Sequence, residues 1–418
     1  MKTASFKRLI LSRKGGAWGS EKNADDRNLI CIRVADFDYP RLSVLPNAST
    51  VRSYTTEQSA RLVIKDGDIL IEKSGGGEKT PVGRAVLANP QEPSVCSNFI
   101  ERLRVDRRLL DPAFGVYVLA AAYQNQVNIT CIKQTTGIQN LDVDAYLSAV
   151  QVPLLSLENQ RLLVEHLTQK NTQINDAIAS IRTTIAKLKE YRQSLITLAV
   201  TKGINQDMKR FPSVPFSLLF KLRRGLNITR ADYVDTGVPC LSYGDVHSRC
   251  LGFVDPTKNK LPKVATDFLQ SNPQCLLEVG DFVFADTSED YAGSGDCSCV
   301  LNTADGLFAG YHTTVAQLRK HDGWCTRYLG YFFLSDAFRL QVQRKVSGIK
   351  VFSITNSILN ATRVLMPPFA VQEQVADFLD AKCRAINESI SSLEQTIERL
   401  TAYRQSLITE IVTKGLPE

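Results

Sequence analysis

The sequence predicts an α+β chain in which one unit, a globular part followed by a long heptad helix, is used twice. Three observations carry this. Tyr191-Arg-Gln-Ser-Leu-Ile-Thr197 with Val200-Thr-Lys-Gly203 returns 212 residues later as Tyr403-Arg-Gln-Ser-Leu-Ile-Thr409 with Val412-Thr-Lys-Gly415. The stretch before each match has apolar residues spaced 4-3-4-3. The remainder mixes short β-branched runs with Gly, Pro, Asn and Asp turns, the pattern of domains rich in short strands.

The repeat is an internal duplication: Leu167–Gly203 and Leu379–Gly415 align without gaps with 20 identities in 37 positions. The first seam runs Ile174, Ile178, Ile181, Ile185, Leu188 and Leu195; the second runs Ile386, Ile390, Leu393, Ile397, Leu400 and Leu407. A period of 3.5 held for about four heptads predicts helices that pack as a coiled coil, each satisfying the other most simply. Asn171 and Cys383 take seam positions near the helix starts, where a polar residue either sets register or marks a frayed end. Gly203 and Gly415 stand where a C-cap glycine is expected, each after a lysine suited to a helix C-terminus. Pro153 and Pro367-Pro368 mark the helix entries. Pairing Gln160 with Gln374 implies that the two copies differ by two residues at the helix start.

In the globular halves the echoes are fainter. Cys31-Ile-Arg-Val-Ala-Asp36 answers Cys240-Leu-Ser-Tyr-Gly-Asp245, Gly67-Asp68 answers Gly280-Asp281, and Thr136-Gly137-Ile138 answers Ser347-Gly348-Ile349. The repeated Gly-Asp reads as a tight turn before a strand. Leu62–Ile64, Ile69–Ile71 and Val127–Ile132 read as strands.

Composition bounds the function. A chain of 418 residues, 44% hydrophobic and 22% charged, is ordinary globular protein with room for two to three cores. With neither a membrane-length apolar run nor a signal-peptide pattern at its start, the chain reads as cytoplasmic. The ten cysteines are scattered and read as reduced structural thiols, with Cys297-Ser-Cys299 in buried strand packing. The four histidines have no zinc or triad spacing, so no metal and no catalytic residue is expected. Ser74-Gly-Gly-Gly-Glu-Lys-Thr80 lacks the spacing of a phosphate loop and reads as a flexible loop. Asp286, Glu289 and Asp290 read as an exposed acidic turn. The net charge of +7 is concentrated on the globular halves: residues 1–150 carry 20 Lys/Arg against 16 Asp/Glu, and residues 206–365 carry 18 against 15. A polyanion would have to bind there.

The order of globular domain, entry motif, heptad helix, Tyr-Arg-Gln-Ser-Leu-Ile and Thr-Lys-Gly, used twice, resembles the specificity (S) subunit of type I restriction–modification enzymes. The entry motifs are Pro153-Leu-Leu-Ser-Leu-Glu-Asn-Gln160 and Pro367-Pro-Phe-Ala-Val-Gln-Glu-Gln374, and the likeness covers the whole chain. It implies two similar target-recognition domains, residues 1–150 and 206–365. They would be separated by two spacer helices, within 151–205 and 366–418, pairing as an antiparallel coiled coil with a pseudo-twofold internal repeat. A heptad helix of about 34 residues is about 50 Å long, on the order of one DNA turn or more. The implied function is recognition of a bipartite, asymmetric target in double-stranded DNA. Two methyltransferase subunits dock on the repeats, and restriction/translocase subunits join through them. The S subunit does no chemistry; S-adenosylmethionine, ATP and Mg are expected on partner subunits. The alternative is a coiled-coil scaffold that does not bind DNA.

Phosphate contacts need Lys or Arg, and base readout favours Arg, Lys, Asn and Gln. The DNA-binding candidates are Arg13, Lys14, Trp18, Arg33, Lys73 and Arg84 in the first half, and Arg223, Arg224, Tyr243, Arg249 and Lys350 in the second. Arg102, Arg104, Arg107 and Arg108 read instead as a charged helical surface.

Overall fold

The computed structural model describes residues 2–22, 28–134, 137–204 and 211–416. The chain divides into two units, Met1–Thr183 with Leu393–Glu418, and Thr184–Ser392.

In the first unit the main sheet has six strands in the order Ile10–Gly15, Ile100–Val105, Ile69–Glu72, Ala85–Leu87, Ser43–Val44 and Phe37–Asp38. The first three pairings are antiparallel. Asn28–Ile32 pairs parallel with Ser94–Cys96, and Thr3–Ser5 pairs antiparallel with Gln151–Pro153. The second unit repeats this plan. Phe220–Arg224, Thr313–Leu318, Phe282–Ala285 and Cys297–Val300 lie in the corresponding order, all antiparallel. Val238–Leu241 pairs parallel with Phe308–Ala309, and Ser213–Pro215 pairs antiparallel with Arg363–Leu365. The duplication therefore extends through the globular halves, although their sequences have largely diverged.

The faint echoes mark shared anchors. Gly67 and Gly280 both have positive φ (76° and 94°), which a Cβ disfavours. Each sets a buried aspartate at a strand entry: Asp68 accepts from Lys65 N–H (2.8 Å), and Asp281 accepts from Glu278 N–H (3.0 Å). Arg104 holds Asp68 with two bonds of 2.7 Å and Arg102 reaches it at 3.4 Å, while Arg223 holds Asp281 at 2.7 Å. Arg102 and Arg104 thus lie in a strand, not on a helix, and Arg102 is buried against Asp68. Arg108 closes a turn on Asp106 instead.

Two strand expectations fail. Leu62 ends the helix Thr56–Leu62, because Thr55 and Gln58 form a reciprocal capping box that starts a helix there. Within Val127–Ile132 the buried Asn128 donates to Val82 O (2.7 Å), and a 3-10 turn, Ile129–Cys131, takes half of the segment. The Ser74–Thr80 stretch is also more ordered than a flexible loop. Ser74–Gly75 pairs with Gln139–Leu141, and Gly77 and Thr80 exchange backbone bonds. Thr136 of the third echo lies outside the described residues. Cys297–Val300 is a fully buried strand, as expected.

The long helices are Leu157–Lys202 and Phe369–Lys414, each of 46 residues. Each ends at a positive-φ glycine, Gly203 (75°) and Gly415 (88°). They run about 70 Å each at about 1.5 Å per residue, longer than the heptads alone imply. Their bounds are offset by 212 residues throughout, so the expected two-residue difference is absent. The true counterpart of Gln160 is Gln372. Gln160 Nε2 donates to the carbonyls of Leu109 and Leu155, both at 3.0 Å, and its Oε1 accepts from Asp111 N–H at 2.8 Å. Gln372 does the same with Gly323 O (3.1 Å), Pro367 O (2.9 Å) and Cys325 N–H (2.9 Å). Both amides are fully buried. Each saturates backbone groups that would otherwise be orphaned where a helix leaves its domain.

All twelve seam residues are buried or half-buried. Within the first unit, Leu163 and Leu167 share a core with Ile408, Ile411 and Val412. Within the second, Ile196, Ala199 and Val200 share one with Val375, Ala376, Leu379 and Cys383. Early residues of one helix meet late residues of the other in each unit, so the pairing is antiparallel. At the helix ends the buried stripe moves from Leu195 to Ile196 and from Leu407 to Ile408, because there the helix packs on its domain. Polar locks also repeat. Arg404 Nη1 donates to Asn175 Oδ1 (2.6 Å), and the equivalent Arg192 donates to the equivalent Asn387. Asn171 donates to Pro40 O (2.8 Å), tying the helix to its domain rather than setting register against the other helix.

Candidate nucleic-acid interface

A concave surface rich in cations and aromatics lies in the second unit. Ser242–Asp245 forms a turn in which Ser242 N–H donates to the buried Asp245 (3.2 Å). Burial pushes the Asp245 carboxyl up, while the Ser242 N–H and Arg249 pull it down. Arg249 grips that carboxylate (3.0 Å) and donates to Lys260 O (2.7 Å). The turn presents Tyr243 to Tyr311 and His312, with ring centroids 5.5 and 5.6 Å apart. Tyr233 packs on Tyr311 (6.3 Å) and bonds Ser242 Oγ (2.7 Å), and Arg230 donates to the Tyr311 hydroxyl (3.3 Å). A cleft of about 470 Å³ is lined by Arg230, Tyr233, Arg249, Lys260 and Tyr311. A second, of about 490 Å³, is lined by Arg224, Asp286, Thr287, His312, Ser353 and Asn356.

The acidic turn is exposed at Glu289 and Asp290, as expected, and two of its carboxylates have partners within the fold. Asp286 pairs with His312 (3.2 Å), and Asp290 accepts from Gly293 N–H (2.6 Å). Among the described residues no group of three His, Cys, Asp or Glu side chains is placed to hold a metal ion. His247 buttresses the site from behind, its Nδ1 at 2.9 Å from Asp296 and its Nε2 at 2.8 Å from Thr287 O. Both ring nitrogens face oxygen acceptors, an arrangement only the imidazolium satisfies fully, and the Asp296 bond raises its pKa. A raised folded-state pKa adds stability that is complete below the ordinary imidazole value and is lost as pH rises through the raised value. The expected outcome is a fall in urea midpoint between pH 6 and 8 that is smaller in His247→Gln, checked by denaturation at several pH values.

The first unit has a cleft at the equivalent place, of about 340 Å³, lined by Trp18, Arg33, Glu72, Ser74, Gly75 and Phe99. Arg33–Asp36 is the same turn as Ser242–Asp245: Arg33 N–H donates to Asp36 (2.8 Å), and its guanidinium closes on that carboxylate at 3.2 and 3.0 Å. Arg52 lies over the Trp18 ring, 4.9 Å from its centroid. The third echo flanks both sites. Ile138 and Ile349 are exposed just before the short strands that pair with Ser74–Gly75 and Thr287–Ser288.

The structure places Trp18 and Arg33 in one cleft, Arg249 in the second and Arg224 in the third, while Tyr243 packs on the Tyr311 and His312 rings that line the last two. Lys73 adjoins the first cleft, beside Ser74. Lys350 is exposed in the loop after Gly348, and Lys14 is exposed on its strand. Arg33 and Arg249 hold their turn aspartates within the clefts, and three further candidates are paired outside them. Arg13 pairs with Glu101 and Asp144, both at 3.1 Å. Arg84 stacks on Tyr39 (3.6 Å to the centroid) and faces Glu72 (3.4 Å). Arg223 is consumed by Asp281 and two backbone carbonyls. Phe99, Arg230, Tyr233, Lys260, Tyr311 and His312 also line these clefts and Arg52 covers Trp18, although the sequence reading does not single them out. Ser94–Cys96 and Phe308–Ala309 occupy equivalent strands, and extending the alignment past them would have flagged Phe99, Tyr311 and His312.

No family model matches the chain. It is 22% identical over 359 residues to the type I restriction enzyme EcoKI specificity subunit of Escherichia coli (strain K12), covering 81% of this chain and 74% of that protein. A chain from a structure of the complex assembly and conformational transition of the type I R-M system superposes with a TM-score of 0.71 at 14% identity, over 99% of this chain and 98% of the other. The HsdS subunit from Thermoanaerobacter tengcongensis superposes with a TM-score of 0.52 at 13% identity, over 99% and 97%. The resemblance to type I specificity subunits thus holds in sequence over most of the chain and in fold from end to end.

Proposed function

We propose that the chain is the DNA sequence-recognition subunit of a type I restriction–modification complex. One observation carries this: the same concave site, edged by cations and aromatics, occurs at equivalent positions in two unlike versions on one duplicated chain. Two unlike readers suit a bipartite, asymmetric target. Arg224, Arg230 and Lys260 in the second half, and Lys14, Lys73 and Arg52 in the first, are suited to phosphates, while Arg33, Tyr243 and Arg249 stand where base edges would be met. Residues 1–150 and 206–365 act as target-recognition domains, and the helices between and after them set the unread gap. Two methyltransferase subunits dock on the repeated helices and bring restriction subunits with them. The chain itself is non-catalytic and works in the cytoplasm; S-adenosylmethionine, ATP and Mg act on the partner subunits. A scaffold that ignores DNA would have no use for matched basic-aromatic clefts.

Footprinting of the complex with its methyltransferase subunit tests the reading. Protection of one bipartite sequence, weakening steeply with salt, is the expected outcome; protection without sequence preference would refute it.

A further inference from the structure

One cavity of the first unit has no part in the reading clefts. It holds about 290 Å³ where the domain meets the end of the helix Phe369–Lys414. Three cations line it: Lys79 and Arg84 from the domain, and Arg404 from the helix. Its walls are otherwise largely apolar, with Leu42, Ala85 and Ile408 among them.

The charges in this cavity do not balance. Arg84 is offset by Glu72 at 3.4 Å. Arg404 is half-buried, and its one hydrogen-bond partner, Asn175 Oδ1 at 2.6 Å, is neutral. The carboxylate whose field reaches Arg404, Asp38, is itself held by Arg41 at 3.0 Å. Lys79 is exposed at the rim, and among the described residues it pairs with no carboxylate. Two positive charges are therefore left facing one small space, which costs stability unless an anion joins them.

The duplication shows how the same place is satisfied when the protein closes it. In the second unit the glutamine equivalent to Gln405 is Gln193, and it donates to Leu334 O (2.9 Å) and to the Asp336 carboxylate (2.7 Å). Asp336 gets there because the helix Thr326–Leu334 stops and a second helix, Asp336–Gln343, begins. In the first unit the corresponding helix, Pro112–Gln124, runs on unbroken, and Ala120 and Tyr123 line the cavity. Among the described residues Gln405 meets no carboxylate. The second unit thus supplies an internal anion where the first leaves a hole.

We propose that this cavity is a binding site for a small phosphate monoester, its phosphate held by Lys79, Arg84 and Arg404 and its organic body lying on the apolar wall. Two uncompensated cations match the dianion that a phosphate monoester carries above its second pKa of about 6. Arginine suits phosphate because its planar fork can donate two bonds at once. The volume is near the lower end for small-molecule sites, so the body is of the size of one ring or one nucleoside. The site is independent of DNA recognition and would stand if that reading fell.

Isothermal titration of the full chain at pH 8 tests it, with phenyl phosphate, inorganic phosphate and benzoate as probes. Phenyl phosphate is expected to bind once per chain, inorganic phosphate more weakly for want of the apolar body, and benzoate at least about tenfold more weakly for want of the second charge. Lys79→Gln and Arg404→Gln should each weaken phenyl phosphate by about tenfold or more. Lys7→Gln, which removes an exposed cation paired with Asp144, should leave it unchanged. Lys79 is exposed, so its variant folds whatever Arg404→Gln does to packing. No binding of phenyl phosphate, equal binding in Lys79→Gln and wild type, or benzoate binding as tightly as phenyl phosphate would each overturn the site.

Discussion

Asp68→Ala is expected to destabilise the first unit by about 3–5 kcal/mol, because it leaves buried guanidinium charge without its counter-ion. Asp68 is 1% exposed and is the acceptor for both Arg102 and Arg104; Arg102 is itself only 3% exposed. The same substitution also frees Lys65 N–H. The equivalent Asp281→Ala should cost less, about 1–3 kcal/mol, since Arg223 keeps the carbonyls of Gln274 and Leu276 as acceptors. Urea denaturation of the two variants, followed by tryptophan fluorescence and circular dichroism, checks both the loss and its order. Equal losses would show that the carbonyls do not compensate.

The second large effect is on binding. Substituting Arg224, Arg230 and Lys260 together by alanine removes three cations from the clefts of the second unit; among the described residues none of them pairs with a carboxylate. If they meet phosphates, affinity should fall by about 10²-fold or more at moderate salt, and the slope of log affinity against log salt should shrink by about two to three. Because the first unit is untouched, the half-site it reads should stay protected. Titration of labelled duplexes at several salt concentrations measures both quantities. An unchanged salt slope would place the DNA elsewhere on the domain.

How much of this was legible in the sequence depended on whether structure was encoded locally. The helices announced themselves because a seam such as Ile174, Ile178, Ile181, Ile185 is periodic, and Gly203 and Gly415 because a positive-φ cap needs glycine. The Gln160–Gln372 equivalence was hidden: a second glutamine, Gln374, stands nearby, and only the bonds of Gln372 to Gly323, Pro367 and Cys325 distinguish them. β-branched content predicts strands at Leu62–Ile64 and Val127–Ile132, but a capping box and a buried asparagine override it there. Arg33 and Arg249 were visible beside a repeated aspartate. Arg13, Arg84 and Arg223 stand near the duplicated signatures, but sequence does not tell that Glu101, Glu72 and Asp281 lie opposite them. The Tyr311–His312 wall emerges only when the repeat alignment is extended past Phe308–Ala309, because aromatics from distant segments meet through sheet order.

The central claim is that one chain holds two different DNA readers. Methylome sequencing of the host, with this gene intact, deleted, or carrying a related chain's residues 206–365 in place of its own, tests it most directly. The account predicts one bipartite adenine-methylated sequence that disappears on deletion and changes in one half only on exchange. Methylation unaltered by deletion, or an exchange that alters both halves together, would contradict it.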